Sequence, residues 1–314
     1  MGARAETSHE GILAAVGGTP LFELRRVLPR SGARIFVKWE PANPTGSMKD
    51  RMAVEVIRSA AADGRLAPGG TVVEYTAGTT GVSLALVCAA LGYRLHVVFS
   101  DAFSVEKRQT MRAFGAEITD EPSDGGQITE ELIRRMIARA GQISQRSGHW
   151  WADQLNNEDA VRGYLPLGHE IARQLDQRVD VFVQAVSTAH SIHGTADGLR
   201  EHVPAVRVVA VEPAESAVLS GLPTGSHHIE GIGIGFIPPL WHPEQVDSIE
   251  RVHSSAAQQM ARRLATEEGL FAGTSTGANV VAALRVAEDL PAGARVVTVA
   301  VDSGLRYLST EPYA

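Results

Sequence analysis

The chain has 314 residues, more than one hydrophobic core ordinarily organises, so two lobes with a cleft between them are expected. Apolar residues make up 44% and charged residues 21%, which excludes global disorder and leaves room for a large core. A formal net charge of −7 argues against nucleic acid as a partner, since that needs a basic face, and a small-molecule ligand is expected instead.

Residues 1–20 show no basic segment followed by an apolar one, and no later run is long enough to span a bilayer, so no membrane association is expected and a cytoplasmic location follows. Residues 43–51 read NPTGSMKDR. The Pro-Gly turn delivers Ser47, read as an N-cap, to a helix that has Lys49 in its first turn and continues through residues 52–59. A lysine there stands at the positive end of the helix dipole, which eases its deprotonation, and burial in a cleft would do the same. Only a neutral amine attacks an aldehyde. The same pattern also admits a solvent-exposed lysine balanced by Asp50.

Residues 71–75 (TVVEY) and 95–99 (LHVVF) read as strands, followed by helical segments at 82–91 and 105–114. The lone cysteine, Cys88, falls in the apolar stretch 84–91; it permits no intrachain disulfide and no two-cysteine metal cluster, so it reads as core packing and no metal is expected. Strand signatures return at 179–186, 206–211 and 294–301. Continuous apolar strands alternating with helices require a parallel sheet covered on both faces, hence an α/β fold. Three Gly- or Ser/Thr-rich turns, at 75–81 (YTAGTTG), 185–194 (AVSTAHSIHG) and 273–279 (GTSTGAN), lie where strands pass into helices. Such turns are the candidate walls of a single site, with helix N–H groups available to anions.

The motif NPTGSMKDR resembles the cofactor-lysine motif of the cysteine synthase (O-acetylserine sulfhydrylase) and cystathionine β-synthase family, fold-type II enzymes dependent on pyridoxal 5′-phosphate. The resemblance extends from Gly18 to Thr310 through the blocks at 81–99, 104–118, 208–221, 231–238 (GIGIGFIP), 267–279 and 302–310 (DSGLRYLST). It implies a two-domain, tryptophan synthase β-subunit-like fold with mostly parallel sheets covered by helices. Residues 43–153 would form a smaller mobile domain together with 1–20; residues 154–314 would form the larger domain that binds the cofactor phosphate, with 21–42 packed on it. A homodimer is implied as well.

By the same resemblance Lys49 is the Schiff-base residue and the acid/base at the substrate α-carbon. Thr79, the loop Ser187, Thr188, Ala189, His190 and Ser191, and Ser275 contact the cofactor, with Ser275 on the ring nitrogen. Thr76, Ala77, Gly78, Thr80, Gln154 and Gly231 bind substrate, the turn at 76–81 taking its carboxylate. A hydroxyl rather than an aspartate on the ring nitrogen suits β-elimination chemistry. The implied activity is β-replacement on an activated serine, O-acetyl-L-serine or O-phospho-L-serine, with sulfide or another nucleophile. The alternatives are a β-elimination lyase of the cysteine desulfhydrase or serine dehydratase kind, or a catalytically silent binding homologue.

The sequence departs from the family at three places. The phosphate loop, GTGGT in the family, reads STAHS at 187–191, so all its glycines are gone. His190 and His193 could add positive charge there or be surface histidines near a helix start. TSGNTG of the family appears as TAGTTG, with Ala77 and Thr79 in place of serine and asparagine, and Leu305 replaces a glutamate.

Overall fold

In this computed structural model, residues 11–313 are described; residues 1–10, assigned above to the smaller domain, and Ala314 lie outside them. Chain order gives β1 (Leu21–Glu23), β2 (Arg34–Trp39), α1 (Lys49–Ala62), β3 (Thr71–Tyr75), α2 (Thr79–Leu91), β4 (Arg94–Phe99), α3 (Val105–Ala113), β5 (Glu117–Asp120), α4 (Glu130–Ser144) and β6 (His149–Trp151). There follow α5 (Asp159–Arg162), α6 (Leu165–Gln174), β7 (Val181–Ala185), α7 (His190–Arg200), β8 (Arg207–Pro213), β9 (Ser248–Val252), α8 (Ser254–Arg263), α9 (Thr274–Glu288) and β10 (Arg295–Ala300).

The strands form two sheets. One is six-stranded, in the order β1-β2-β10-β7-β8-β9, and the other four-stranded, in the order β5-β4-β3-β6. Every pairing is parallel except β1 with β2. The period of two along a strand explains why the runs are apolar throughout: Val181 and Val183 of β7 pack in one core cluster and Phe182 in the other, and Val209 and Val211 of β8 are separated in the same way from Val208 and Ala210. Cys88 is buried in the larger cluster, as packing requires.

Each strand expected from sequence is present to within two residues at either end. β1, β2, β5, β6 and β9 were not among the expected elements; β1, β5 and β6 are only three or four residues long and half-exposed, so they lack the apolar run by which a covered strand is read. The helix after the Pro-Gly turn starts at Lys49 with Met48 in the cap position, one residue later than a Ser47 cap implies. Ser47 still contributes, its Oγ accepting from the Lys49 N–H at 3.2 Å.

Candidate active site

Lys49 opens α1, and its Nζ lies 6.0 Å from the centroid of the fully buried Tyr164 ring. Burial pushes its amine down to about 8, a fall that the nearby carboxylate of Asp302 opposes. Lys49 is half-buried rather than exposed, which goes against the exposed-lysine alternative. Asp50 does not balance Lys49; it is buried and turned back, its carboxylate accepting from Thr45 N at 2.8 Å and from Thr45 Oγ1 at 2.6 Å.

The turn between β3 and α2 is built around Thr76. Its Oγ1 accepts from the N–H groups of Gly78 at 2.8 Å and Gly81 at 3.1 Å, while Gly78 takes a φ of 120°. A side chain at residue 78 would also collide with Lys107. The Gly78 N–H is therefore spent on the turn, and the donors that remain for an anion are those of Thr79 and Thr80, which open α2 and have no intrahelical acceptor. Gln154 braces the turn: its Nε2 donates to Tyr75 O at 2.7 Å, its Oε1 accepts from Thr80 Oγ1 at 2.9 Å, and its N–H reaches Glu74 Oε2 at 2.9 Å. Ala77 is half-buried beside these groups.

Residues 187–191 connect β7 to α7. Ala189 adopts φ 68° and ψ −12°, the left-handed conformation that glycine takes at little cost and that an alanine tolerates at roughly 1 kcal/mol or more. The dihedral at this residue is therefore one that favours glycine, although the family's glycines are all gone from the loop. Ser191 Oγ accepts from Gln184 Nε2 at 2.6 Å, which leaves its own O–H free to donate, and Thr188 Oγ1 sits 3.1 Å from His190 Nδ1. Both histidines are buried rather than on the surface, and burial pushes His190 to about 3 and His193 to about 4. They are neutral at pH 7 and add no positive charge; sequence left the residue's burial unread, and burial decides its charge.

Ser275 is buried in the first turn of α9. The 301–303 segment joins this turn to the Lys49 segment: Asp302 forms a bridge with Ser47, Met48 N–H donates to Val301 O at 2.9 Å, and Gly273 N–H donates to Asp302 O at 3.2 Å. Gly231 is exposed with a φ of 87°, but its neighbour Glu230 donates through its N–H to Thr274 Oγ1 at 3.2 Å and accepts from Lys107 Nζ at 2.5 Å. The three turns, at 76–81, 187–191 and 273–279, together with the 302 segment, therefore meet around one site: Lys107 packs on the first and Glu230 on the third, and Gln184 Nε2, which donates to Ser191 Oγ on the second, lies 3.8 Å from Sδ of Met48 beside Lys49.

The profile of the pyridoxal-phosphate dependent enzymes matches residues 12–302. The chain belongs to this family. It is 38% identical over 312 residues to the cysteine synthase of Staphylococcus aureus, with 99% of each chain covered. It is 37% identical over 301 residues to the O-ureido-L-serine synthase of Streptomyces lavendulae, covering 95% of this chain and 91% of that one. A crystal structure of the cysteine synthase of Entamoeba histolytica superposes with a TM-score of 0.91 at 36% identity, over 100% of this chain and 93% of the other. The expected α/β fold with mostly parallel sheets is thereby confirmed, and pyridoxal phosphate is the family's cofactor.

The residues present fit that cofactor. A half-buried lysine whose amine is pushed down to about 8 suits its aldehyde, the amino terminus of α7 with Thr188 and Ser191 suits a phosphate, and His190 Nε2 is a buried polar atom with no partner among the described residues. Among those residues no helix is long and apolar enough to cross a membrane. Leu305, in place of the family glutamate, is 63% exposed and takes no part in the site. Sequence reading assigned no role to Asp302, Lys107, Glu230, Thr274 or Tyr307. Asp302 and Tyr307 stand inside the matched block DSGLRYLST, but only the folded chain brings them to the other loops.

Proposed function

We propose that this enzyme carries out β-replacement on an activated serine, O-acetyl-L-serine or O-phospho-L-serine, with sulfide or another nucleophile, giving L-cysteine or a β-substituted alanine. The reading is supported by full-length similarity to cysteine synthases and carried by one observation: Asp302, bridged to Ser47 two residues before Lys49, also meets Thr79 Oγ1 at 3.4 Å, which ties the lysine segment to the free N–H groups that open α2. Residues 43–153 and 154–314 act as two lobes that close over this cleft.

In this proposal Lys49 holds the cofactor and then serves as the amine that takes the proton from the substrate α-carbon. An amine near 8 is neutral often enough to accept a proton at physiological pH and basic enough to keep it. The N–H groups of Thr79 and Thr80 bind the substrate carboxylate, with Thr76 and Gln154 fixing the turn that presents them. Thr188, Ser191 and the N–H groups at the start of α7 hold the cofactor phosphate, and Ser275 meets the ring nitrogen. Pyridoxal phosphate, when bound, supplies an aldehyde for amino groups and a ring that withdraws electrons from the α-carbon, only weakly when its nitrogen faces the neutral hydroxyl of Ser275.

The test is product analysis. Wild-type protein loaded with pyridoxal phosphate should show visible absorption and form cysteine from O-acetyl-L-serine and sulfide; Lys49→Ala should lose both the band and turnover. Pyruvate as the only product with every nucleophile supplied would instead establish a β-elimination lyase. A hydrogen sulfide-producing enzyme of Fusobacterium nucleatum, 32% identical with a TM-score of 0.88, makes that outcome the one to exclude.

A further inference from the structure

The far end of the α6–α7 pair carries a cluster that the reaction leaves unused. His169 lies in α6, and Glu201 and His202 directly follow the last residue of α7. The two helices pack backbone against backbone: a side chain at residue 168 would collide with Thr195 O, and one at residue 198 with Leu165 O. Their register is therefore fixed, and it sets His169 opposite the end of α7. His169 Nε2 lies 2.8 Å from Glu201 Oε2, and the rings of His169 and His202 stand 5.3 Å apart at 82°. One donor atom from each of the three residues falls within 4.8 Å of the other two. Among the described residues this is the one group of three histidine, cysteine or acidic side chains whose donor atoms converge so closely. Nothing positively charged competes for the carboxylate: Glu201 pairs with His169 and, among the described residues, with no lysine or arginine, and its neighbour Arg200 is turned to Gln245 O at 2.8 Å. The cluster also stands at the C-terminal end of α7, where the helix dipole favours a cation.

We propose that His169, Glu201 and His202 bind a divalent transition-metal ion of the zinc type, which staples α6 to α7. Two imidazoles and one carboxylate are donors that zinc takes, at about 2.1 Å each, with a fourth position left to water. Tetrahedral donors around such an ion stand ~3.4 Å apart, so the 2.8 Å pair must open by roughly 0.6 Å and the widest pair close by at most about 1.4 Å. Small χ rotations of exposed and half-exposed side chains supply movements of that size. The ion replaces the proton that His169 and Glu201 share, so binding releases it to solvent. Magnesium and calcium, which prefer a shell of oxygens, are poorly matched to two imidazoles. Local sequence patterns could not show the site, because His169 and Glu201 come from different helices, 32 positions apart. The lone cysteine excludes thiolate clusters but not imidazole ones. Since α7 opens at the 187–191 turn, the ion sits about 16 Å along the helix from the cofactor phosphate and takes no part in the reaction.

Calorimetric titration of zinc chloride into the untagged full-length holoenzyme, first stripped with a chelator and dialysed, tests this. One ion per chain should bind at the tightest site; nickel should compete for it and magnesium should not. His169→Ala and His202→Ala should each weaken binding at least about tenfold, since losing even a group that hydrogen-bonds a ligand costs that much. Glu201→Gln, which keeps the shape and removes the charge, should weaken it as well. Saturating zinc should raise the melting temperature of wild type and leave that of the double variant H169A/H202A where it was. Because the three residues lie on the surface, the variants should melt like wild type in the presence of chelator, so loss of binding is not loss of fold. Absence of saturable binding by wild type would overturn the proposal. So would undiminished binding by the double variant, which would put the ion on other side chains.

Discussion

Two residues beyond Lys49 the same helix supplies Arg51 to a buried charge network, and Glu170→Gln tests what that network contributes. Arg51 donates to Glu170 at 2.9 and 2.8 Å and to Glu40 at 2.7 and 2.9 Å, and Lys38 Nζ lies 2.7 Å from Glu170 Oε2. Burial alone would raise the Glu170 carboxyl, but hydrogen bonds and charge from Arg51, then Lys38, override it and hold it at about 2. Lys38 is itself lowered, because its burial outweighs the help from Glu170, so Arg51 contributes most of the effect. The interval between the ordinary 4.5 and about 2 corresponds to ~3 kcal/mol at neutral pH. The folded value is the lower one, so this stability is present above pH 4.5 and is lost as pH falls toward 2. Urea unfolding of Glu170→Gln should therefore show a deficit of ~3 kcal/mol at pH 7 that shrinks to roughly 1 kcal/mol at pH 3, where the wild-type contribution is itself partly lost. A deficit under 1 kcal/mol at pH 7, or one equal at both pH values, would refute the reasoning.

Thr188→Ala should weaken pyridoxal phosphate binding about three- to tenfold, the loss of one ordinary hydrogen bond, while leaving unfolding in the cofactor-free chain almost unchanged; equilibrium titration of cofactor absorption measures it. Gly198→Ala should destabilise by ~2 kcal/mol or more in urea, because a methyl group at residue 198 would stand 2.2 Å from Leu165 O and force α6 and α7 apart.

Much of the site was legible because its parts are local. The Lys49 motif, the turn at 76–81 and the start of α9 each occupy a few consecutive residues, with apolar strand and helix patterns on either side. What failed depended on surroundings. His190 and His193 were read as charged or exposed, and neither holds, because seclusion from water by distant segments makes them buried and neutral. Nor did the sequence show that the amide of Gln154, expected to bind substrate, is engaged with Tyr75 and Thr80, partners that lie more than seventy positions away.

The sequence by itself determined the α/β class, the order of its main strands and helices, and the lysine at a helix start, because residue periodicity and turn chemistry act over neighbours along the chain. Only the tertiary structure decided how acidic each buried group is. Lys49 near 8 and Glu170 near 2 both start from an unfavourable burial, and the difference between them lies in which charges long-range packing supplies: a single opposing carboxylate from Asp302 for the first, and Arg51 with Lys38 for the second. The backbone of Ala189 was decided the same way. No local preference puts an alanine at a φ of 68°, and the packing of β7 and α7 around it imposes that conformation.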